Sequence, residues 1–175
     1  LTVLAWVDRQ VSAPALLRNW TTVWIGNLAG ALLMAAAISQ TSLITGGFGT
    51  TAAKIAAGKM ALAPLDIFVR AILCNALVCL AVWLSFAATD VAGKILAIIL
   101  PVAAFVALGL EHSIANMFLL PLGLMAGAEG SAALAAQNIA IATAGNILGG
   151  AGGVALAHRF ASNPQDRAHR GNATG

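Results

Sequence analysis

The chain has 175 residues, 60% of them hydrophobic and only 9% charged, with a mean hydropathy of +0.91. Soluble domains carry roughly 25% charged residues, so a water-soluble fold is excluded and the sequence reads as an integral membrane protein. The formal charge of +3 is diffuse, with no basic cluster interleaved with aromatics, which excludes a nucleic-acid partner.

Leu1–Val7 is apolar but far too short to span a bilayer. It reads as the tail of a helix arriving from inside the membrane, and the chain as a fragment of a longer protein. Asp8, Arg9 and Gln10 mark an aqueous boundary. The Ser12-Ala13-Pro14 turn then opens a helix whose apolar part runs from Trp20 to Ile38, with Trp20 and Trp24 near the interface. Thr41–Thr50 reads as a Gly/Ser/Thr loop, and Thr51–Met60, with Lys54 and Lys59, as a short helix lying at the surface. Pro64 precedes a span from Leu65 to Phe86 that is interrupted by Arg70 and Asn75, and Thr89–Lys94 is a polar turn. Cys74 and Cys79 fall on different faces of that span and read as small buried hydrophobes rather than a disulfide or metal pair.

The next apolar run, Ile95 to Met125, exceeds the roughly 20 residues of one straight crossing. Its middle holds Glu111-His112-Ser113-Ile114-Ala115-Asn116, with Gly109 just before. A continuous lipid-facing helix does not place an acid, an imidazole, a hydroxyl and a carboxamide so close together, because each unpaired polar group costs several kcal/mol in hydrocarbon. The run is therefore predicted to be two half-helices meeting at a break buried in protein, with His112 at the break. Transporters and channels put their sites at such breaks. Ala128–Ser131 is a link and Leu134–Ala157 the last span; the polar tail over 161–175 is predicted to be disordered. The domain reading is a transmembrane unit over 1–160 and a cytoplasmic tail over 161–175.

With alternating spans, Arg9, Arg18, Lys94, Arg159, Arg167 and Arg170 collect on one side and Lys54 and Lys59 on the other. The positive-inside rule puts the first side, with the C-terminus, in the cytoplasm, and the expected location is a bacterial inner membrane. Gly26-Asn27-Leu28-Ala29-Gly30 resembles Gly145-Asn146-Ile147-Leu148-Gly149-Gly150 in a span of opposite direction, as in an inverted repeat. Chance is the competing explanation, since small residues are common at membrane helix contacts. If the repeat is real, a full span and the outer half of a second broken helix are missing ahead of Leu1.

Leu73-Cys74-Asn75-Ala76-Leu77-Val78-Cys79-Leu80-Ala81-Val82-Trp83, the run Glu111-His112-Ser113-Ile114-Ala115-Asn116-Met117-Phe118, and Gly145-Asn146-Ile147-Leu148-Gly149-Gly150 together resemble the formate/nitrite transporter family, in wording and in spacing. The resemblance implies an all-α, aquaporin-like inverted-repeat bundle of six spans, the second and fifth broken. It implies a homopentamer with one pore per protomer, carrying small monovalent anions such as formate or nitrite together with protons. It also implies an omega loop whose threonine faces the histidine, a loop that would lie just before Leu1.

His112 is the candidate pore and proton-relay residue: an anion crossing apolar protein is barred by desolvation, while a neutral weak acid passes cheaply. Glu111 is expected to be structural, capping the second half-helix at its positive end, and Asn116 to satisfy backbone groups there. The resemblance adds Lys59, which would draw anions to the vestibule, and associates Asn75 and Asn146 with the pore, where a carboxamide either binds the anion or braces helices. It adds Phe105 and Val78 as an apolar constriction, Phe105 closing the periplasmic side. Arg70 is expected to pair with Asp66, one turn earlier. A hydrosulfide channel of the same fold is an alternative; an aquaporin-type channel would be marked by Asn-Pro-Ala repeats, and the sequence has none. An enzyme would need a nucleophile–base pair or clustered ligands. Ser113 is merely adjacent to His112, and His158 and His169 lie at the far end. No enzyme activity, metal or cofactor is expected.

Overall fold

The computed structural model describes residues 2–7 and 9–161; Leu1, the Asp8 boundary and the tail beyond residue 161 lie outside the described residues. The chain forms α1 (Thr2–Val7), α2 (Ala13–Ser39), a 3-10 turn (Ser42–Thr45), α3 (Gly47–Met60), α4 (Pro64–Ala87), α5 (Val91–Ala107), α6 (Ser113–Met125) and α7 (Ala132–Ala161). α2, α4 and the 132–153 part of α7 are long and apolar enough to cross a membrane, with mean hydropathies of 1.6, 2.3 and 1.2. Large apolar side chains such as Leu33, Leu65, Val91 and Leu100 lie exposed on the outside, as lipid-facing surfaces require.

Helix starts follow local chemistry. Ser12 caps α2, its hydroxyl accepting from Ala15 N at 3.4 Å, with Pro14 in the first turn. Asp90 caps α5, accepting from Gly93 N at 2.8 Å, so the helix begins inside the stretch predicted as a turn. The predicted loop over 41–50 is also shorter than expected, because α3 starts at Gly47. Thr50 and Thr51 donate their hydroxyls back to Gly46 O (3.2 Å) and Gly47 O (2.8 Å), and so stay inside the helix.

Helix α3 does not simply lie at the surface. Its face Gly49, Ala52, Ala56 and Met60 is buried, and Ala52 and Ala56 pack against Gly123 of α6, where a Cβ would overlap Ala56. The sequence hides this face because it is small rather than large and apolar; in lipid, close backbone approach does the work that hydrophobic burial does in water. α6 is thus the central element, touched by α2, α3 and α7. Its Met117 and Leu120 are fully buried in a cluster with Ala56, Met60, Ala135 and Ile139.

α4 is continuous through Arg70 and Asn75 and runs parallel to α7. Gly145 sits against Phe68 and Ala71, Gly149 against Ile72, and Gly150 against Asn75. The matching Gly26 and Gly30 of α2 meet nothing within 4 Å among the described residues.

The long apolar run is broken between Leu108 and His112, as its polar centre predicts. Gly109 has φ +63°, Leu110 N donates to Phe105 O at 3.0 Å and Gly109 N to Val106 O at 3.1 Å. This is a Schellman cap, and its left-handed position is the reason a glycine stands there. The polypeptide leaves α5 through this cap and re-enters a helix after the five residues 108–112.

Candidate functional site

The break is built by backbone hydrogen bonds to side chains of other helices. Asn146, on α7, uses its whole carboxamide: Oδ1 accepts from Ser113 N at 2.8 Å, while Nδ2 donates to Glu111 O at 2.9 Å and to Ala71 O at 2.8 Å. With both its N–H groups engaged on carbonyls, Asn146 braces the break and offers no free donor to an anion. Asn75 Nδ2 donates to Asn146 O, tying α4 to the same point. Arg70 pairs with Asp66 at 2.7 Å, as expected from the i,i+4 spacing, and its Nη1 reaches Gly109 O at 3.4 Å.

His112 is the N-cap of α6. Its Nδ1 accepts from Ala115 N at 3.4 Å, and its carbonyl accepts from Asn116 N at 2.9 Å. An Nδ1 acting as acceptor assigns the remaining proton of the neutral ring to Nε2. The cap expected from Glu111 is therefore supplied by its neighbour, because the N-cap position falls at residue 112. Phe105, on the last turn of α5, packs on the imidazole with ring centroids 5.7 Å apart and planes tilted by 33°.

Glu111 turns the other way, into protein, and is fully buried. Its Oε1 meets Lys59 Nζ at 2.7 Å, and its Oε2 accepts from Asn116 Nδ2 at 2.6 Å and Asn138 Nδ2 at 3.2 Å. Asn138 also donates to Lys59 O at 3.1 Å and accepts from Asn116 Nδ2 at 2.8 Å. Asn116 thus serves side chains, not the backbone groups assigned to it from sequence. Lys59, expected to draw anions to the vestibule, is an ion-pair partner with only 15% of its side chain exposed. Sequence reading missed Asn138. It lies two helical turns before Asn146 on α7, and that shared face was the available signal.

A cavity of about 400 Å³ opens on the break. His112, Ser113 and Ile114 line it from the break, Asn75, Val78 and Cys79 from α4, Trp20 and Trp24 from α2, and Thr143, Asn146 and Gly150 from α7. Trp24 Nε1 donates to Thr143 Oγ1 at 3.1 Å, closing α2 onto α7 along the wall. Val78, Asn75, Asn146 and His112 thus line one cavity, while Phe105 and Lys59 are not among its lining residues.

The formate/nitrite transporter profile matches residues 1–160. The chain belongs to the formate/nitrite transporter family. Within that family it is 41% identical over 161 residues to a probable formate transporter of Methanothermobacter thermautotrophicus, covering 83% of this chain and 59% of that protein. It is 40% identical over 169 residues to the uncharacterised transporter YrhG of Bacillus subtilis, covering 95% of this chain and 63% of that one. Among solved structures it superposes on an FNT family ion channel with a TM-score of 0.83 at 29% identity, over 92% of this chain and 66% of that one. It also superposes on a pentameric formate channel with formate bound, with a TM-score of 0.75 at 33% identity, over 83% of this chain and 66% of that one. The chain thus spans less than two thirds of the curated formate/nitrite transporters it matches. It is a multi-pass membrane protein of a transporter family.

Proposed function

We propose that this chain carries small monovalent weak-acid anions, formate or nitrite, across a bacterial inner membrane as one protomer of a pentamer, with its C-terminus in the cytoplasm. The observation that carries the reading is the His112 ring, held on a cavity wall at the break between α5 and α6. The pentamer and the formate cargo are those named for the structural relative; the side assignment comes from the basic residues that collect at the end where α7 finishes.

The chemistry follows from desolvation. A bare carboxylate entering an apolar constriction pays far more than its neutral acid. A hydronium ion from the aqueous side protonates Nδ1, the imidazolium passes its Nε2 proton to an oxygen of the anion, and the ring, left with one hydrogen on Nδ1, returns to its starting tautomer by proton exchange with water; the acid crosses uncharged. Val78 on the cavity wall and Phe105 against the ring supply the apolar collar that rejects hydrated ions. Lys59 serves the anion by neutralising Glu111, which would otherwise present a negative charge one residue from the relay.

Formate flux into proteoliposomes, measured against pH, tests this. His112→Asn is expected to lower flux by at least about 100-fold, the scale of a lost general acid, and to flatten its pH dependence. A variant that keeps both rate and pH response ends the proposal.

A further inference from the structure

The first turn of a helix leaves its leading N–H groups without intrahelical partners. In α6 these groups are nearly all taken. Ser113 N goes to Asn146 Oδ1, Ala115 N to His112 Nδ1 and Asn116 N to His112 O. Ile114 N and the N–H of the N-cap residue His112 have no partner among the described residues, and both residues line the cavity. The Ser113 side chain is a second, independent observation. Ser113 lines the same cavity and is only 6% exposed, and its hydroxyl has no hydrogen-bond partner among the described residues. Among the buried side-chain polar atoms there that lack a partner, only Asn116 Oδ1 is sealed from solvent, so the Ser113 oxygen opens onto the cavity.

Native proteins rarely leave buried donors empty, and an N–H with a hydroxyl at the positive end of a helix forms a site for an anion. We propose that the open first turn of α6 is an anion-binding site in which the Ser113 hydroxyl and the Ile114 N–H hold the oxygens of a compact carboxylate-type monoanion beside the His112 ring. This rests on the transport reading and deepens it. Recognition is separated from protonation: Ser113 and Ile114 hold the charge of the arriving ion, and His112 removes it. The geometry suits a small planar oxyanion, because the donors are consecutive in one turn and cannot spread around a large ligand. Asn146 and the His112 cap fill the flanking N–H groups and leave this pair as the free donors of the first turn.

The test is formate transport by Ser113→Ala and Ser113→Thr in proteoliposomes, with KM and maximal rate separated. A lost hydrogen bond to a charged ligand is worth roughly 1.5–3 kcal/mol, so Ser113→Ala is expected to raise KM about 10-fold or more while keeping the pH response that His112 sets. Ser113→Thr, which retains the hydroxyl, is expected to restore most of the affinity. Ser113→Cys, close in volume and a weaker donor, replaces the alanine variant if that one does not assemble, with KM again expected to rise. KM within twofold of the unaltered protein in the assembled variants overturns the site. So does an equal rise in Ser113→Thr, which would mark a packing effect. The two failures are separable. Absence of formate flux in the unaltered protein, or an unchanged His112→Asn, removes the transport reading. Normal flux with an unmoved KM in Ser113→Ala removes the binding site alone.

Discussion

Replacing Lys59 by Met is expected to cost the folded protein about 3–5 kcal/mol, because it strands a buried carboxylate. Glu111 is fully buried, and its one cationic contact among the described residues is Lys59 Nζ at 2.7 Å. Asn116 and Asn138 donate to the same carboxylate but carry no charge. Removing both charges together is a smaller perturbation than removing one. The double variant Lys59→Met with Glu111→Gln keeps an acceptor for the two asparagines and is expected to recover most of the loss. Thermal midpoints in detergent for the two single variants and the double variant check this. A double variant as damaged as Lys59→Met would show that the pair's charges are not what the fold depends on. The same set bears on transport: Lys59→Met leaves a negative charge one residue from His112, so its anion flux is expected to fall further than that of the double variant.

Gly149→Ala is expected to destabilise the protein by about 1–3 kcal/mol, the usual cost of overpacking, although alanine is the better helix former by about 1 kcal/mol. A Cβ on Gly149 would overlap the Ile72 carbonyl oxygen, and one on Gly145 would come within 2.6 Å of Phe68 O. The obstacle is backbone, so no side chain can rotate away and α4 must move off α7. That displacement reaches the site, since Asn146 and Ala71 lie at the same contact and brace the break. Gly58, on the exposed face of α3 with nothing within 4 Å, is the control: Gly58→Ala is expected to be neutral or stabilising. Unfolding of both variants in the same detergent decides the matter, and two shifts of the same sign would contradict the packing argument.

Much of this architecture was legible in the residues. A run too long for one crossing, with an acid, an imidazole and a carboxamide at its centre, has few arrangements in lipid, and the break fell where those residues stand. Gly109 marked its start, because a left-handed cap needs that residue. The roles of individual side chains were harder to read. Whether Glu111 or His112 caps α6 depends on where the helix begins to within one residue, which composition does not specify. The contacts of Lys59 with Glu111 and Asn138, and of Asn116 with Asn138, were hidden for another reason: these residues are distant in sequence and meet only once α3 and α7 pack on α6. The buried face of α3 escaped notice because all of it but Met60 is glycine and alanine, which give little periodic hydrophobic signal.

One nitrogen of His112 has two incompatible employments. Nδ1 cannot accept the Ala115 amide and carry a proton at the same time. A ring that has taken up its second hydrogen has therefore released the start of α6. Under the proposed relay, a turnover that draws a hydrogen through the imidazole loosens and re-forms that first turn. The Ala115 amide is then expected to exchange with deuterated solvent faster while formate is supplied than at rest, the helix start shifting with each proton it passes.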